Sequence, residues 1–321
     1  MFKRICSYLL IVTLLVSLAS LGGCNKKPAP APKPVKLAPE VKKYDSEPTI
    51  SLYRTATGAK EELKLEEYLK GVVAAEISDE FPMEALKAQA IVARTSTLAL
   101  IEYEEGTRGK HNTDASDDHT EFQAYDNTQI TDKITKAVEA TRGQVLTTSK
   151  GKFVYALFHS VSGKKTASIE EGFPALAKTA PYIVAVDTKG LKNAPEKYHN
   201  WTVKVPRWEV KKIMGNDAGN LDDIKIAKKG PSGRALTITA GKASIAGVDL
   251  RQEIGFDRLY STDFTSIKPE GNYIVFRGVG WGHGCGMEQW GAYTMAKENR
   301  ATAKDIVEHY YPQANWTKLY K

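Results

Sequence analysis

A predicted pair of helices that meet at a proline corner constrains the fold of this 321-residue chain more than any other feature. The pair lies around the stretch from Glu67 to Arg94. Its first helix carries apolar residues at spacings of four and three, as an amphipathic helix does: Leu65, Leu69 and Val72. Phe81-Pro82 predicts the corner, because proline fits the first turn of a helix, and the second helix should run to about Leu100.

The next position on that apolar stripe is Glu76. A carboxyl on the core-facing side of a helix is partly desolvated, which raises its pKa. A carboxyl that titrates near neutral pH can act as a general acid. The alternative is a structural residue at the helix end, paired with Lys87 or Arg94, which lie two turns apart on one face of the second helix.

The N-terminus has the pattern of a secretory signal. Lys3 and Arg4 precede an apolar run over residues 8–21, which is too short for a transmembrane helix. The run ends in Leu-Gly-Gly-Cys, which resembles a bacterial lipobox. We predict a lipoprotein signal peptide over residues 1–24, with Cys24 as the lipidated first residue of the mature protein; a plain signal peptide or an uncleaved anchor is the alternative.

Residues 25–47 are rich in proline, alanine and lysine, a composition typical of an extended spacer. Without Lys3 and Arg4 the chain keeps 43 basic and 38 acidic residues, a net charge of +5. This mild bias suits an anionic cell wall and is too small to indicate nucleic acid. We therefore expect a folded domain over residues 48–321, lipid-anchored at the extracytoplasmic face of the cell membrane.

That domain is predicted to be α+β, a mixed core of helices and sheet with a β-rich insert. A helix is expected over residues 131–141 and a central strand over 152–158, which is apolar on both faces. Short strands between glycine and proline turns predict the inserted subdomain at about 187–265. Apart from Cys24, the predicted mature chain contains only Cys285, so no intramolecular disulfide is expected.

Polar residues follow the predicted central strand: His159, Ser160 and Ser162. The exit of a buried strand is a good place to line a pocket, so substrate binding is the hypothesis and hydrogen bonding within the loop is the alternative. A serine-hydrolase pair is disfavoured, because no nucleophile elbow is present.

Five glycines fall between Gly278 and Gly286, directly before a predicted helix. They would let the backbone approach a ligand closely, but the Lys-Ser/Thr ending of a phosphate loop is missing. His283 and Gln289 are predicted to face a ligand groove, and the flat apolar faces of Trp281 and Trp290 would suit sugar rings. The alternative is that the glycines serve packing alone and the tryptophans belong to the core.

A polar loop carries metal-ligating residue types: His111, Asp114, Asp117, Asp118 and His119. They have neither the regular spacing nor the thiolates of a zinc site, so no metal and no cofactor are predicted.

Two long blocks of the chain resemble the stage II sporulation protein D family (SpoIID/LytB). EYLKGVVAAEISDEFPMEALKAQAIVART, from Glu67, is similar to the family pattern EYLxGVVAxEMPxxFPxEALKAQAVAART. GVGWGHGCGMEQWGAYTMA, from Gly278, is similar to GxGHGxGxSQYGAxxMA. The resemblance covers roughly residues 49–320. Some family members carry cysteines beside a histidine in a form that resembles a zinc site, where this chain has Ala115, Ser116 and Phe122.

The resemblance implies a peptidoglycan lytic transglycosylase. Such an enzyme cleaves the MurNAc-GlcNAc bond to leave 1,6-anhydroMurNAc ends, here on glycan strands stripped of peptides. Glu76 occupies the position of the proposed catalytic glutamate and would serve as the single acid/base. Lys87 and Arg94 match family positions and would steady the lactyl carboxylate or Glu76. The segment around His159 resembles YFHSTSGG of the family, and the implied substrate-binding set is Lys87, Arg94, His159, Ser160, Ser162, His283 and Gln289.

Two other functions stay open. The family includes proteins described as amidase enhancers, so the domain could bind glycan or a wall amidase without catalysis. A hydrolase could instead combine Glu76 with a second carboxylate such as Asp114 or Asp117. The expected partners are peptidoglycan strands and wall-remodelling proteins, with no nucleic acid.

Overall fold

The computed structural model describes residues 35–321. The predicted signal peptide, Cys24 and most of the predicted spacer lie outside the described residues. Helices make up 36% and strands 23% of the residues, which confirms the predicted α+β class. Among the described residues, no helix has both the length and the apolar character that crossing a membrane requires.

The helices, in chain order, are α1 Pro39–Lys42, α2 Leu65–Glu76, α3 Met83–Tyr103, α4 Arg108–His111, α5 Asp132–Ala140, α6 Ile169–Gly172, α7 Arg207–Met214, α8 Gly247–Ile254, α9 Gln289–Asn299 and α10 Ala303–Tyr310. The strands are β1 Thr49–Tyr53, β2 Lys60–Lys64, β3 Ala115–Ser116, β4 Gln144–Thr147, β5 Phe158–His159, β6 Trp201–Pro206, β7 Lys225–Lys229, β8 Ala235–Ala240, β9 Ala243–Ala246, β10 Phe264–Glu270, β11 Tyr273–Gly278, β12 Met287–Glu288 and β13 Asn315–Lys318.

The predicted helix pair is present as α2 and α3, which turn between Ile77 and Pro82. Ile77 leaves the helix in an extended conformation (φ −143°, ψ 143°), and Pro82 is the N-cap of α3. α3 is buried along most of its length and packs against α2, α5, α9 and α10. This helical core sets the end of α2, and with it Glu76, against the start of α9.

Small sheets complete the first core. Their strand orders are β2-β1-β3, β13-β4 and β12-β5. In the last of these, Met287 pairs with Phe158 and Glu288 with His159 in parallel register. The strand pair therefore joins the segment after residue 158 to the glycine-rich loop and α9.

A second core lies between Trp201 and Phe276. It packs α7 and α8 between a β10-β11-β6 sheet and a β7-β8-β9 sheet. Val210, on the apolar side of α7, faces this core. The residue limits predicted for an insert, about 187–265, stay a prediction.

The prediction of a continuous central strand over residues 152–158 is wrong. Its residues are mostly buried, but a regular ladder forms only at Phe158–His159. The Val154 N–H donates to the Leu146 carbonyl of β4 at 3.1 Å, and two tyrosine hydroxyls serve other N–H groups: Tyr103 accepts from Phe153 at 2.8 Å and Tyr182 from Tyr155 at 2.9 Å. Side chains thus satisfy part of the buried backbone groups.

The predicted spacer also ends earlier than residue 47. Val41, in α1, is fully buried, and Tyr44 is 8% exposed with its ring edge on Phe153 at 5.8 Å. The reason is compositional: the last third of the segment contains apolar side chains that its proline-rich start lacks. The residues from about 39 onward therefore belong to the folded domain.

Candidate active site

Glu76 is the last residue of α2, and its carboxylate is partly buried. The Gln289 Nε2 lies 3.4 Å from its Oε2, and the backbone N–H of Ala124 also donates to the carboxylate. Burial raises the pKa of Glu76 to about 7, and the hydrogen bonds from Gln289 and Ala124 offset only part of that effect. The carboxyl can therefore be protonated and deprotonated near neutral pH, as an acid/base group must be.

The segment that supplies Ala124 is fixed against α2 by its neighbour Tyr125. That ring stacks on Tyr68 with centroids 5.6 Å apart, and it covers Gly71 so closely that a Cβ there would lie 2.3 Å from a ring carbon. The Asp126 N–H donates to the Gly71 carbonyl at 3.1 Å. A glycine one turn and a half before Glu76 thus lets the chain at residues 124–126 reach the site.

His159 and Ser162 are both buried and bonded to each other, with 2.6 Å between His159 Nε2 and Ser162 Oγ. The Cys285 carbonyl can only accept, so at 3.1 Å it receives the Nδ1–H of His159. Burial lowers the pKa of His159 well below its usual value, so the ring is neutral and its Nε2 accepts from the Ser162 hydroxyl. The two side chains link the segment after β5 to the glycine-rich loop at Cys285, and neither is exposed to a substrate.

The glycine-rich loop folds tightly around that pair. Gly282 (φ +109°) approaches His159 so closely that a Cβ would lie 2.9 Å from the histidine Cβ. Gly286 (φ +71°) lies against the Leu157 carbonyl, where a Cβ would be 1.9 Å from the oxygen. Only glycine fits these positions without strain, so at these two points the loop does serve packing.

His283 lies within the same loop. Its Nδ1 accepts the Cys285 N–H at 3.1 Å, and its ring is edge-on to Phe173 with centroids 4.9 Å apart. Burial, followed by the positive charge of Arg251, lowers its pKa to about 3. His283 is thus a neutral imidazole, and it retains some solvent exposure at the loop surface.

The two tryptophans behave differently. Trp281 keeps 36% of its surface exposed and stacks on Tyr198, with centroids 5.1 Å apart and planes 23° from parallel. Trp290 is half-buried and packs against Phe81 at 5.0 Å and Tyr293 at 5.3 Å. Trp281 therefore offers an open aromatic face, whereas Trp290 mainly braces the corner before α3.

The expectation that Arg94 contacts substrate or Glu76 is wrong. Its side chain is fully buried and binds both oxygens of Glu66, with nitrogen–oxygen distances of 3.0 and 2.5 Å. The same carboxylate accepts from Tyr320 Oη at 2.7 Å and from the Gly143 N–H at 3.0 Å. Arg94 thus stabilises the junction of α2, α3 and the C-terminal segment.

The remaining predicted residues lie closer to solvent. Lys87 is part-buried and forms an ion pair with Glu84, its Nζ 2.7 Å from Oε1. Ser160 is half-buried, and its carbonyl accepts the N–H of Trp290 at 3.1 Å. Gln289 is the one predicted binding residue whose side chain directly contacts Glu76.

The polar loop considered for metal is held by other contacts. His111 Nε2 lies 2.7 Å from Glu121, and its ring stacks on Tyr53 at 3.9 Å. Asp114 accepts from Ser51 Oγ at 2.7 Å and pairs with Arg108 at 2.5 Å. Over residues 35–321, no group of three or more histidine, cysteine or carboxylate side chains is arranged to hold a metal ion.

Two buried charged residues beside the site were missed by sequence reasoning. Glu288 is fully buried, and it accepts the Ser162 N–H at 2.8 Å and the hydroxyl of Thr188. Burial raises its pKa to about 7. Arg234, in the second core, is also fully buried and reaches Ser162. The only sequence signal was that Glu288 stands where the family pattern has serine.

The fold and this site together define an α+β protein with a partly buried carboxyl of raised pKa held between the ends of two helices. A family profile described as stage II sporulation protein matches residues 53–148, and a profile for a domain of unknown function matches residues 177–286.

The chain is 33% identical over 280 residues to stage II sporulation protein D of Bacillus amyloliquefaciens, covering 83% of this chain and 78% of that protein. It is 33% identical over 303 residues to stage II sporulation protein D of Bacillus subtilis (strain 168), covering 89% and 84%. A Bacillus subtilis protein named amidase enhancer is 26% identical over 301 residues, covering 78% of this chain and 40% of that protein. The chain belongs to the stage II sporulation protein D family.

Proposed function

We propose that this protein is a peptidoglycan lytic transglycosylase that uses Glu76 as its single acid/base. The observation that carries the proposal is the state of the Glu76 carboxyl: partly buried, with a pKa raised to about 7, and held by Gln289 and the Ala124 N–H. The family resemblance described above supplies the substrate class.

The reaction needs one carboxyl in two successive roles. The protonated Glu76 donates its proton to the glycosidic oxygen as the bond from the MurNAc C1 to that oxygen breaks. The C6 hydroxyl of the same MurNAc then attacks C1, and the Glu76 carboxylate takes its proton. A 1,6-anhydro ring forms and Glu76 is protonated again. Because the nucleophile belongs to the substrate, positioning costs less entropy than the capture of a water molecule.

The surroundings of the other carboxylates support this choice over a hydrolase with two carboxyls. Asp114 is engaged by Ser51 and Arg108. Asp117 accepts from Thr55 Oγ1 at 2.7 Å and lies 3.3 Å from Arg54. Glu288 has a raised pKa but no exposed surface. None of the three is free to activate a water molecule beside a sugar.

Contacts to the glycan would come from the rim of the site. Trp281 offers an exposed face with Lys197 Nζ 5.9 Å from its ring, whereas Gln289, only 6% exposed, would act on the substrate through its hydrogen bond to Glu76. Apolar sugar faces pack well on aromatic rings, and a few placed polar groups fix orientation. A chain tethered through Cys24 at the extracytoplasmic face of the membrane would meet this substrate, and loss of labelled fatty acid in Cys24→Ala would test the tether.

The experiment compares the full-length protein with Glu76→Gln and with a control, Glu67→Gln, from an exposed position of the same helix. Each is incubated with intact peptidoglycan and with strands stripped of peptides, and mass spectrometry detects 1,6-anhydro ends. Anhydro ends from the parent and the control, and none from Glu76→Gln, are expected. Water-derived reducing ends would instead indicate a hydrolase.

A second candidate function is supported by the 26% identity to the protein named amidase enhancer. In that case the domain would bind glycan or a wall amidase without cutting the strand. Binding of both substrates by the parent and by Glu76→Gln, with no cleavage by either, would contradict the transglycosylase and favour this function.

A further inference from the structure

Arg234 is buried in an unusual way for a cation. It has no exposed surface, and over residues 35–321 no carboxylate oxygen lies within ion-pairing distance of its guanidinium. Its Nε has no hydrogen-bond partner among the described residues. An arginine stays charged in proteins, so burying it without an ion pair lowers stability. Its charge acts only at longer range on acidic groups, where it opposes the effect of burial that raises the pKa of Asp263 and of Glu288.

Two of the three residues that Arg234 hydrogen-bonds lie in the segment after β5, although Arg234 itself directly precedes β8 of the second core. Its Nη2 donates to Ser162 Oγ at 2.9 Å, and its Nη1 donates to the Lys165 carbonyl at 3.0 Å. Nη1 also lies 3.1 Å from Ser232 Oγ, whose hydroxyl donates to Glu171 at 2.7 Å. The Arg234 side chain therefore reaches from the second core to the polar segment that follows β5.

The guanidinium also lies directly under the glycine-rich loop. Gly284, at φ +87°, passes so close that a Cβ there would stand 2.6 Å from the Arg234 Cζ. The next residue, Cys285, presents the carbonyl that receives the His159 Nδ1–H. The Arg234 guanidinium thus contacts both the segment after β5 and the glycine-rich loop that leads to Gln289.

These contacts fix the direction of a hydrogen-bond chain. Arg234 can only donate, so Ser162 Oγ accepts from it and turns its own proton toward His159 Nε2. His159 then carries its proton on Nδ1, and this N–H donates a hydrogen bond to the Cys285 carbonyl. Each donor has one acceptor, and the chain runs from the second core through Ser162 and His159 into the glycine-rich loop.

We propose that Arg234 is a positioning residue of the candidate site: its guanidinium orients Ser162, reinforces the His159 tautomer that the Cys285 carbonyl favours, and sets the course of the glycine-rich loop toward Gln289. The effect on catalysis rests on the proposed function, but the effect on His159 does not. Arg234 acts through Ser162 and touches no reacting atom.

The test uses full-length protein labelled with ¹⁵N in its six histidines, so few imidazole signals must be assigned. NMR reads the tautomer of His159 across a pH titration in the parent, Arg234→Met and Arg234→Lys. Arg277→Met is the matched control, because Arg277 is an exposed arginine of the second core paired with Glu270. Formation of anhydro ends on stripped strands is measured in parallel.

We expect one Nδ1–H tautomer in the parent and the control, a mixture of tautomers in Arg234→Met, and partial recovery in Arg234→Lys, whose ammonium keeps the charge and can still donate to Ser162. Activity should fall at least tenfold in Arg234→Met and recover in part in Arg234→Lys. An unchanged His159 tautomer in folded Arg234→Met would overturn the proposal.

If Arg234→Met does not fold, Ser162→Ala decides, because it breaks the chain and keeps the buried cation. Retention of the parent's His159 tautomer in Ser162→Ala would also overturn the proposal. If the parent itself forms no anhydro ends, the proposed function fails, and the NMR result still decides whether Arg234 positions His159.

Discussion

Gln289 and Glu76 are separated by 213 positions in sequence, and their side chains meet with 3.4 Å between Nε2 and Oε2. One stands at the start of α9 and the other at the end of α2. The amide donates to the charged form of the carboxyl, so it limits how far burial raises the Glu76 pKa. Burial is the larger cause of the raised pKa, and the relative positions of the two helix ends determine how much of that effect Gln289 offsets.

Replacing Gln289 should move that acidity in a known direction. In Gln289→Leu the Glu76 carboxylate loses a hydrogen-bond donor, so the Glu76 pKa should rise above 7. The alkaline limb of the pH–rate profile should then shift to higher pH. The control is Gln252→Leu, an exposed glutamine on α8. An alkaline limb that shifts to lower pH, or that shifts equally in both variants, would contradict this role for Gln289.

Activity of the parent should fall as pH rises through about 7, because the first step needs protonated Glu76. The measurement is the initial rate of anhydro-end formation on soluble stripped strands between pH 5 and 9. A rate that stays flat across this range would show that protonation of Glu76 does not limit catalysis.

The same carboxyl should make the protein less stable at alkaline pH. The folded pKa of Glu76 is raised from 4.5 to about 7, so its contribution to stability is full below pH 4.5 and is lost as pH rises through about 7. Glu76→Gln cannot ionise, so it should be more stable than the parent by about 3 kcal/mol at pH 9 and similar to it near pH 4. Urea unfolding at both pH values measures this, with Glu67→Gln expected to change little. Equal stability of Glu76→Gln and parent at pH 9 would argue against a desolvated carboxyl.

The buried pair of Glu66 and Arg94 should matter for stability far more than exposed pairs do. Glu66→Gln leaves Arg94 buried without its counter-charge, so unfolding free energy should fall by about 3–5 kcal/mol at neutral pH. The exposed Lys70–Glu67 pair gives the comparison, since Glu67→Gln should cost less than about 1 kcal/mol.

The pH dependence gives this pair a second test. Burial alone would raise the pKa of Glu66, but the charge and hydrogen bonds of Arg94, with those of Tyr320 and Gly143, lower it overall. Its contribution is therefore present at neutral pH and lost as pH falls through the folded pKa. The difference between parent and Glu66→Gln should shrink in acid, and a difference that grows would contradict the assignment.

Trp281 should affect binding more than turnover. Removing its exposed face in Trp281→Ala should raise the KM for glycan strands about three- to tenfold with little change in kcat. Trp208→Ala is the control, because Trp208 is 69% exposed on α7 of the second core. Equal effects of the two substitutions would indicate a general loss of aromatic surface.

The sequence predicted those features that one local pattern carries. Helical periodicity predicted the α2–α3 corner, and the break in the apolar stripe predicted a desolvated Glu76. The same reasoning misassigned Arg94, because a helical face does not identify the partner: Glu66 lies 28 residues earlier and accepts from the Nε and Nη2 of the guanidinium. Similarly, the strand expected over residues 152–158 pairs with β4 only around Phe153, and hydroxyls of Tyr103 and Tyr182 accept from the Phe153 and Tyr155 N–H groups.

Glu288 and Arg234 were missed for a related reason. Charged residues in a polar-looking sequence are usually exposed, and only tertiary contacts bury these two. Ser162 is the point where their contacts converge, its N–H on Glu288 and its Oγ on Arg234. Such convergence from three distant segments leaves no periodic trace in the sequence.

The hydrogen bond from Tyr320 to Glu66 links residues 254 positions apart, so it can form only after nearly the whole chain has been synthesised. At typical synthesis rates of 5–20 residues per second, the ribosome delivers Tyr320 roughly 10 to 50 s after Glu66. Throughout that interval the Glu66–Arg94 junction lacks this hydrogen bond, and β4 lacks its partner β13. The helical core that carries Glu76 is thus among the first parts synthesised and is closed only when the C-terminal segment emerges.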